Sequence, residues 1–167
     1  MEQVGIFVWI VGHNTSNRQT MESFQRSGST ISTAFHLVLK ALVQLAPEFV
    51  YLPTGMTCPT EIQENQQFYP FFQDCIGALD GSHFPLIAPS NEAVAFRNRK
   101  GFTSQNVLLG CNFDLTFCYM LSGWEGSAHD GQVLRSAFNQ DLVVPPGKFF
   151  LGDAGYGLSL SILTPYR

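Results

Sequence analysis

The sequence predicts an α/β fold, a mixed sheet preceded by a helical unit. Three observations predict it. Residues 1–46 carry apolar side chains at helical spacing. From Cys75 onward, short apolar runs closed by glycine, proline or aspartate turns replace them. One helical pattern, His129 to Phe138, interrupts those runs and separates the first strands from the last.

In the first segment, Val4, Phe7, Val8 and Val11 share one helix face. The polar break His13-Asn14-Thr15-Ser16 follows, and Ser16 can cap a second helix through about Arg26. The turn Ser27-Gly28-Ser29-Thr30 leads into a third helix from about Thr30 to Leu45. It places Ile31, Phe35, Val38, Leu39 and Leu42 on one side, and Pro47 is expected to end it. Residues 1–46 thus form a helix-turn-helix-like unit, a pattern that a small helical bundle shares.

Residues 47–74 read as a connector, because Pro47, Pro53, Pro59 and Pro70 break regular structure. A short helix from Thr60, as its cap, to Gln67 fits the pattern. Phe68, Tyr69, Phe71 and Phe72 are expected to anchor the connector on the next domain.

Residues 75–167 form the sheet domain. Cys75 to Leu79 is a strand ending at Asp80. Asn106 to Phe113 and Thr116 to Trp124 form a hairpin with its turn near Asp114-Leu115. Their near-continuous hydrophobicity predicts a sheet covered on both faces. After the helix, Pro145-Pro146-Gly147 turns the chain into strand Lys148 to Leu151, which closes before Asp153. Ser161 to Leu163 is a last short strand. Three antiparallel strands, a crossover helix and a parallel strand are the order of the ribonuclease-H-like fold.

Composition narrows the function. The 167 residues are 45% apolar and only 13% charged, so a substantial core forms and highly charged surface helices are few. A net charge of −4 does not point to a strongly basic nucleic-acid binder and does not exclude one, because local charge matters more: Arg97, Arg99 and Lys100 concentrate three of the nine cations in one stretch. The four cysteines show no CxxC spacing, which speaks against a zinc ribbon and for buried free thiols. The apolar run Ile6 to Val11 is too short to cross a bilayer, so the expected protein is intracellular and soluble, with no membrane partner.

The chemistry rests on acids at strand ends. Asp80 lies in Leu79-Asp80-Gly81-Ser82-His83 and Asp153 in Leu151-Gly152-Asp153-Ala154-Gly155-Tyr156. A carboxylate at a strand end is held rigidly, and glycine beside it permits a sharp turn and close approach of a ligand. Two such groups on neighbouring strands can share hard cations such as Mg²⁺ or Mn²⁺, and metal pairs of that kind activate phosphodiester transfer. Ordinary turn chemistry also pairs aspartate with glycine. Asp130 is either a helix N-terminal acid favoured by the dipole or a third metal carboxylate. His83 and His129 lie close to acids without zinc-motif spacing, which fits substrate contact better than ligation. Phe96-Arg97-Asn98-Arg99-Lys100-Gly101-Phe102 is a candidate phosphate-contacting loop or a solvated one.

Taken in order, these motifs resemble the nuclease domain of PIF/Harbinger-type transposases and their domesticated relatives. The residues that carry the resemblance are Asp74 to His83, Phe96 to Gly101, Gly123 to Asp130, Leu151 to Tyr156 and Leu163-Thr164-Pro165-Tyr166-Arg167. It covers residues 60–167 strongly and the helical segment loosely. It implies a ribonuclease-H-like DDE nuclease, a DNA substrate in the nucleus, an accessory DNA-binding protein and Mg²⁺ or Mn²⁺ chemistry. Asp80 and Asp153 match the family's two catalytic aspartates, and Asp130 matches an acidic position. The family's glutamate is expected on a helix after the Thr-Pro-Tyr motif, so the chain reads as C-terminally truncated. That leaves two readings: an active DNA endonuclease lineage, in which homo-oligomers are possible, or an inactive DNA-binding or interaction remnant.

Overall fold

The structure is a computed structural model in which residues 1–54 and 57–166 are described. Arg167, the last residue of the Thr-Pro-Tyr motif, lies outside them. The chain divides into two compact units, Met1–Phe49 and Val50–Arg167.

The first unit comprises α1 (Glu2–His13), α2 (Asn17–Phe24) and α3 (Gly28–Phe49). Ser16 caps α2 as its sequence predicts. The Gln19 amide donates to Ser16 Oγ, and the Ser16 amide donates to Gln19 Oε1. Ile6, Ile31 and Ala34 make a small core, flanked by Ile10, Met21 and Phe24. Phe7 stacks on Phe35 at 5.0 Å. Two expectations fail on α3. Pro47 does not end it but lies inside its last turn, where its missing amide leaves the Val43 carbonyl without that donor. Leu39 and Leu42, expected on the packed face, are 40% and 46% exposed because the core reaches only the first half of the helix. At 22 residues and a mean hydropathy of 1.3, α3 is long and apolar enough to cross a bilayer by length and composition alone. It nevertheless carries Lys40 near its middle, a position that is expensive in hydrocarbon.

The second unit comprises α4 (Thr60–Gln63), β1 (Cys75–Pro85), α5 (Ala93–Phe96), β2 (Ser104–Cys111), β3 (Phe117–Glu125), α6 (Asp130–Gln140), β4 (Phe149–Gly152) and β5 (Ile162–Leu163). The sheet order is β3-β2-β1-β4-β5. β1 pairs antiparallel with β2 and β2 with β3, whereas β4 runs parallel to β1 and β5 parallel to β4. This mixed topology is the one expected of a ribonuclease-H-like fold. The hairpin turn falls where predicted: Leu115 takes a left-handed conformation, and Asp114 Oδ1 accepts from the Thr116 amide at 2.9 Å.

Helix α6 buries Val133, Leu134 and Ala137 against Leu79, Leu108, Phe150 and Tyr156 of the sheet side. At its C-terminal end the Tyr119 hydroxyl donates to Asp141 Oδ1 at 2.7 Å. Lys148 pairs with Asp74 at 2.8 Å, and the Phe149 amide donates to the Asp74 carbonyl, so both strands of the β1–β4 pair start together.

Several expectations are corrected here. The sheet is not covered on both faces among the described residues. Met120 and Phe84, on the face away from α6, are 53% and 50% exposed. The connector helix stops at Gln63, and its N-cap is Pro59 rather than Thr60. Of the aromatic anchors, Phe71 is 78% exposed, and Phe68 packs edge-on against Phe72 instead of into the main core. Strand β1 does not end at Asp80. It continues to Pro85, because β2 still pairs with it there: Asp80 faces Leu109 and His83 faces Asn106.

Candidate metal and nucleic-acid site

The register of β1 and β4 builds the site. Leu79 and Gly152 are the last paired residues of the two parallel strands. Asp80 and Asp153 are the next residue on each, so both acids follow directly on the last paired rung. There β4 stops and β1 goes on, which leaves a notch in the sheet. Each carboxylate is steadied by a local backbone donor: Gly81 N–H to Asp80 Oδ1 and Gly155 N–H to Asp153 Oδ1, both 2.8 Å. Both residues are exposed.

Asp130 reaches the same notch from α6. It is the first residue of that helix, whose N-cap is His129; His129 Nδ1 accepts from the Gly131 amide at 3.2 Å. The Asn106 side-chain amide donates to Asp130 Oδ1 at 2.9 Å and to the Ala128 carbonyl at 3.2 Å. Asp130 sits directly over Gly81, where any Cβ would stand 2.6 Å from Oδ1. Strand alternation puts Asp80 on the opposite face of β1 from Gly81. Asp130 therefore approaches the notch from the covered face and Asp80 from the open one.

Tyr156 registers all three acids. Its phenol is pushed above the ordinary tyrosine range by burial first, then by the negative charges of Asp130, Asp80 and Asp153. Among the described residues, none of these three carboxylates takes part in an ion pair. The Tyr156 hydroxyl and Asn106 Oδ1 are buried and have no hydrogen-bond partner there. Neither residue was singled out from sequence as a site residue. The available signal for Asn106 was a lone amide in an apolar strand, which must find partners when buried.

The basic loop is built around Asn98, which is 6% exposed. Asn98 Oδ1 accepts from the Lys100 amide at 2.9 Å, and its Nδ2 donates to Ser104 Oγ at 2.9 Å. Ser104 Oγ in turn meets His83 Nδ1 at 3.1 Å. This chain ties the loop to β1 three residues beyond Asp80. It leaves Arg97, Arg99 and Lys100 exposed and free of ion pairs among the described residues. Gly126 permits the packing, since a Cβ there would meet the Phe96 carbonyl and Ser104.

The donor set fits a hard divalent cation. Oxygen ligands of uncompensated charge border one notch, and two orphaned buried polar atoms lie beside them. Among the described residues no three His, Cys, Asp or Glu side chains are already drawn together as a closed metal cage. Ligation therefore requires the carboxylates to close on the ion.

Comparisons with known proteins place the chain in a family. The profile of the DDE superfamily endonucleases matches residues 79–167, and that of a domain family of unknown function matches residues 1–44. "Putative nuclease HARBI1" of Rattus norvegicus is 29% identical over 142 residues, covering 83% of this chain and 41% of that protein. Its Homo sapiens counterpart is 27% identical over the same shares. "Protein ALP1-like" of Arabidopsis thaliana is 25% identical across 99% of this chain and 45% of its own length. The chain thus spans less than half the length of these relatives. No solved structure matches. With the profile matching more than half of the chain and the strand order consistent with it, the chain belongs to the DDE superfamily endonuclease family, and HARBI1 is among its relatives.

Proposed function

We propose that the chain is the core of a divalent-metal-dependent DNA endonuclease of transposase lineage, cleaving or joining phosphodiesters in the nucleus. The observation that supports it most is the β1–β4 register, whose last paired residues, Leu79 and Gly152, come immediately before Asp80 and Asp153. Bound Mg²⁺ or Mn²⁺ would supply Lewis-acid activation of the attacking oxygen and charge stabilisation for the leaving one.

In this reading Asp80 and Asp153 are the catalytic ligands, and Asp130, held by Asn106, is a third metal carboxylate. Arg97, Arg99 and Lys100 contact phosphates and place the strand. His83 and His129 contact the substrate on either side of the acids. The family resemblance makes an accessory DNA-binding protein part of the proposal for the whole protein, and a second copy of the chain is proposed beside it.

The second reading, a DNA-binding or interaction protein that does not cut, is favoured by one observation: no three metal-ligating side chains among the described residues are already drawn together. Nicking of supercoiled plasmid in Mg²⁺ or Mn²⁺ separates the two. The endonuclease reading expects nicking that Asp80→Ala and Asp153→Ala both abolish. Retained nicking in Asp80→Ala removes the assignment, and DNA binding without any nicking favours the second reading.

A further inference from the structure

We propose that the groove along the outer flank of α6 binds a short single-stranded stretch of nucleic acid as it leaves the carboxylate site. The inference rests on the nucleic-acid reading above and adds a path for the strand along α6, beyond the motif that holds Trp124 and His129.

The groove encloses about 700 Å³ and is lined by Trp124, His129, Gln132, Arg135, Asn139 and Gly157. That volume is in the range of ligand clefts, about 300–1,000 Å³. Its near end adjoins the site at two points: His129 precedes Asp130, and Gly157 follows Tyr156. Trp124 is the cross-strand partner of Asn106, the residue that holds Asp130, and it packs on the main core. Its indole is therefore a half-buried platform with little freedom to turn, the kind of surface on which any base can stack.

Gln132, Arg135 and Asn139 lie on one helix face by their spacing of three and four residues. At 1.5 Å per residue they extend over about 10 Å, the length of a short stretch of single strand. Arg135 is exposed and forms no ion pair among the described residues, so its guanidinium is available to a phosphate. The two amide side chains both donate and accept, which suits base edges. An acidic peptide would offer charge to Arg135 but nothing flat for Trp124.

The test uses the whole chain carrying Trp9→Phe, which leaves Trp124 as the sole tryptophan, in metal-free buffer. Indole emission and the anisotropy of labelled DNA are read while a single-stranded oligonucleotide, a blunt duplex or polyglutamate is added. The single strand is expected to quench Trp124 saturably, with little quenching by duplex or polyglutamate. Arg135→Glu, at an exposed position, is expected to keep the fold by circular dichroism, weaken the oligonucleotide several-fold and lower its salt slope by about one. Binding seen by anisotropy with Trp124 emission unmoved, or with Arg135→Glu unimpaired, overturns the groove while leaving the basic loop and the nuclease reading in place. Equal quenching by polyglutamate also overturns it. No DNA binding by any probe removes the groove together with the reading beneath it.

Discussion

Asp130 rests on the bare backbone of Gly81: a Cβ on that glycine would stand 2.6 Å from Asp130 Oδ1 and 3.4 Å from Asn106 Oδ1. The backbone at Gly81 needs no left-handed conformation, so the glycine is required by space alone. Gly81→Ala is expected to push Asp130 off its Asn106 donor. Overpacking of this kind costs about 1–3 kcal/mol, which urea denaturation measures, and Mn²⁺ affinity should fall with it. An alanine variant with unchanged stability and unchanged Mn²⁺ affinity would show that Asp130 yields freely.

Asn106 holds both Asp130 and the Ala128 carbonyl. Asn106→Leu keeps the branched shape, at a larger volume, but deprives both acceptors of their donor. Leaving a buried group unpaired costs about 1–3 kcal/mol, so the urea midpoint should drop. Removing the unpartnered Oδ1 offsets part of that loss. A rise in stability would mean that the orphaned oxygen dominates the site's energetics.

Stability should fall in alkali. Cys75 and Cys118 are buried, and burial raises both thiols, Cys118 to about 11. Burial likewise raises Tyr119 and Tyr156. Unfolded thiols ionise near pH 8.5, whereas the folded ones stay protonated. The unfolded state therefore loses protons first, and stability declines as pH climbs from about 8.5 through about 11 for Cys118. Melting temperatures at pH 7, 9 and 10.5 should descend in that order. A flat profile would contradict the burial of these groups.

The basic loop gives a separate prediction. Charge reversal at Arg97 or Arg99 should weaken DNA binding about equally across sequences and lower the salt slope by about one per residue. Asn98→Ala leaves every charge in place but unties the loop from Ser104. It should weaken DNA binding without removing a cation from the salt slope. Equal slopes for parent and Arg97→Glu would exclude phosphate contact at that residue.

Legibility followed burial. The two strands that lead to Asp80 and Asp153 could be read because each is an apolar run broken by aspartate beside glycine, and the sheet puts those runs next to each other. The extent of β1 could not, because past Asp80 one face of the strand is open. Ser82, His83 and Phe84 therefore carry no apolar run although they pair with β2. The same open face defeated the expectation of two covered sheet surfaces. Pro47 misled because proline disfavours a continuing helix without forbidding it, and α3 runs two residues past it. Asn106 and Tyr156 remained hidden because their importance depends on side chains brought from distant positions, which no local pattern encodes.

Mn²⁺ binding, followed by the loss of the free-ion paramagnetic resonance signal, bears most directly on the shared-carboxylate site. The chain is predicted to remove Mn²⁺ from solution saturably, and Asp80→Asn and Asp153→Asn are each predicted to weaken that binding severely while keeping the parent circular-dichroism spectrum. Folded single variants that bind Mn²⁺ as tightly as the parent would contradict the account, because the two aspartates would then not hold the same ion.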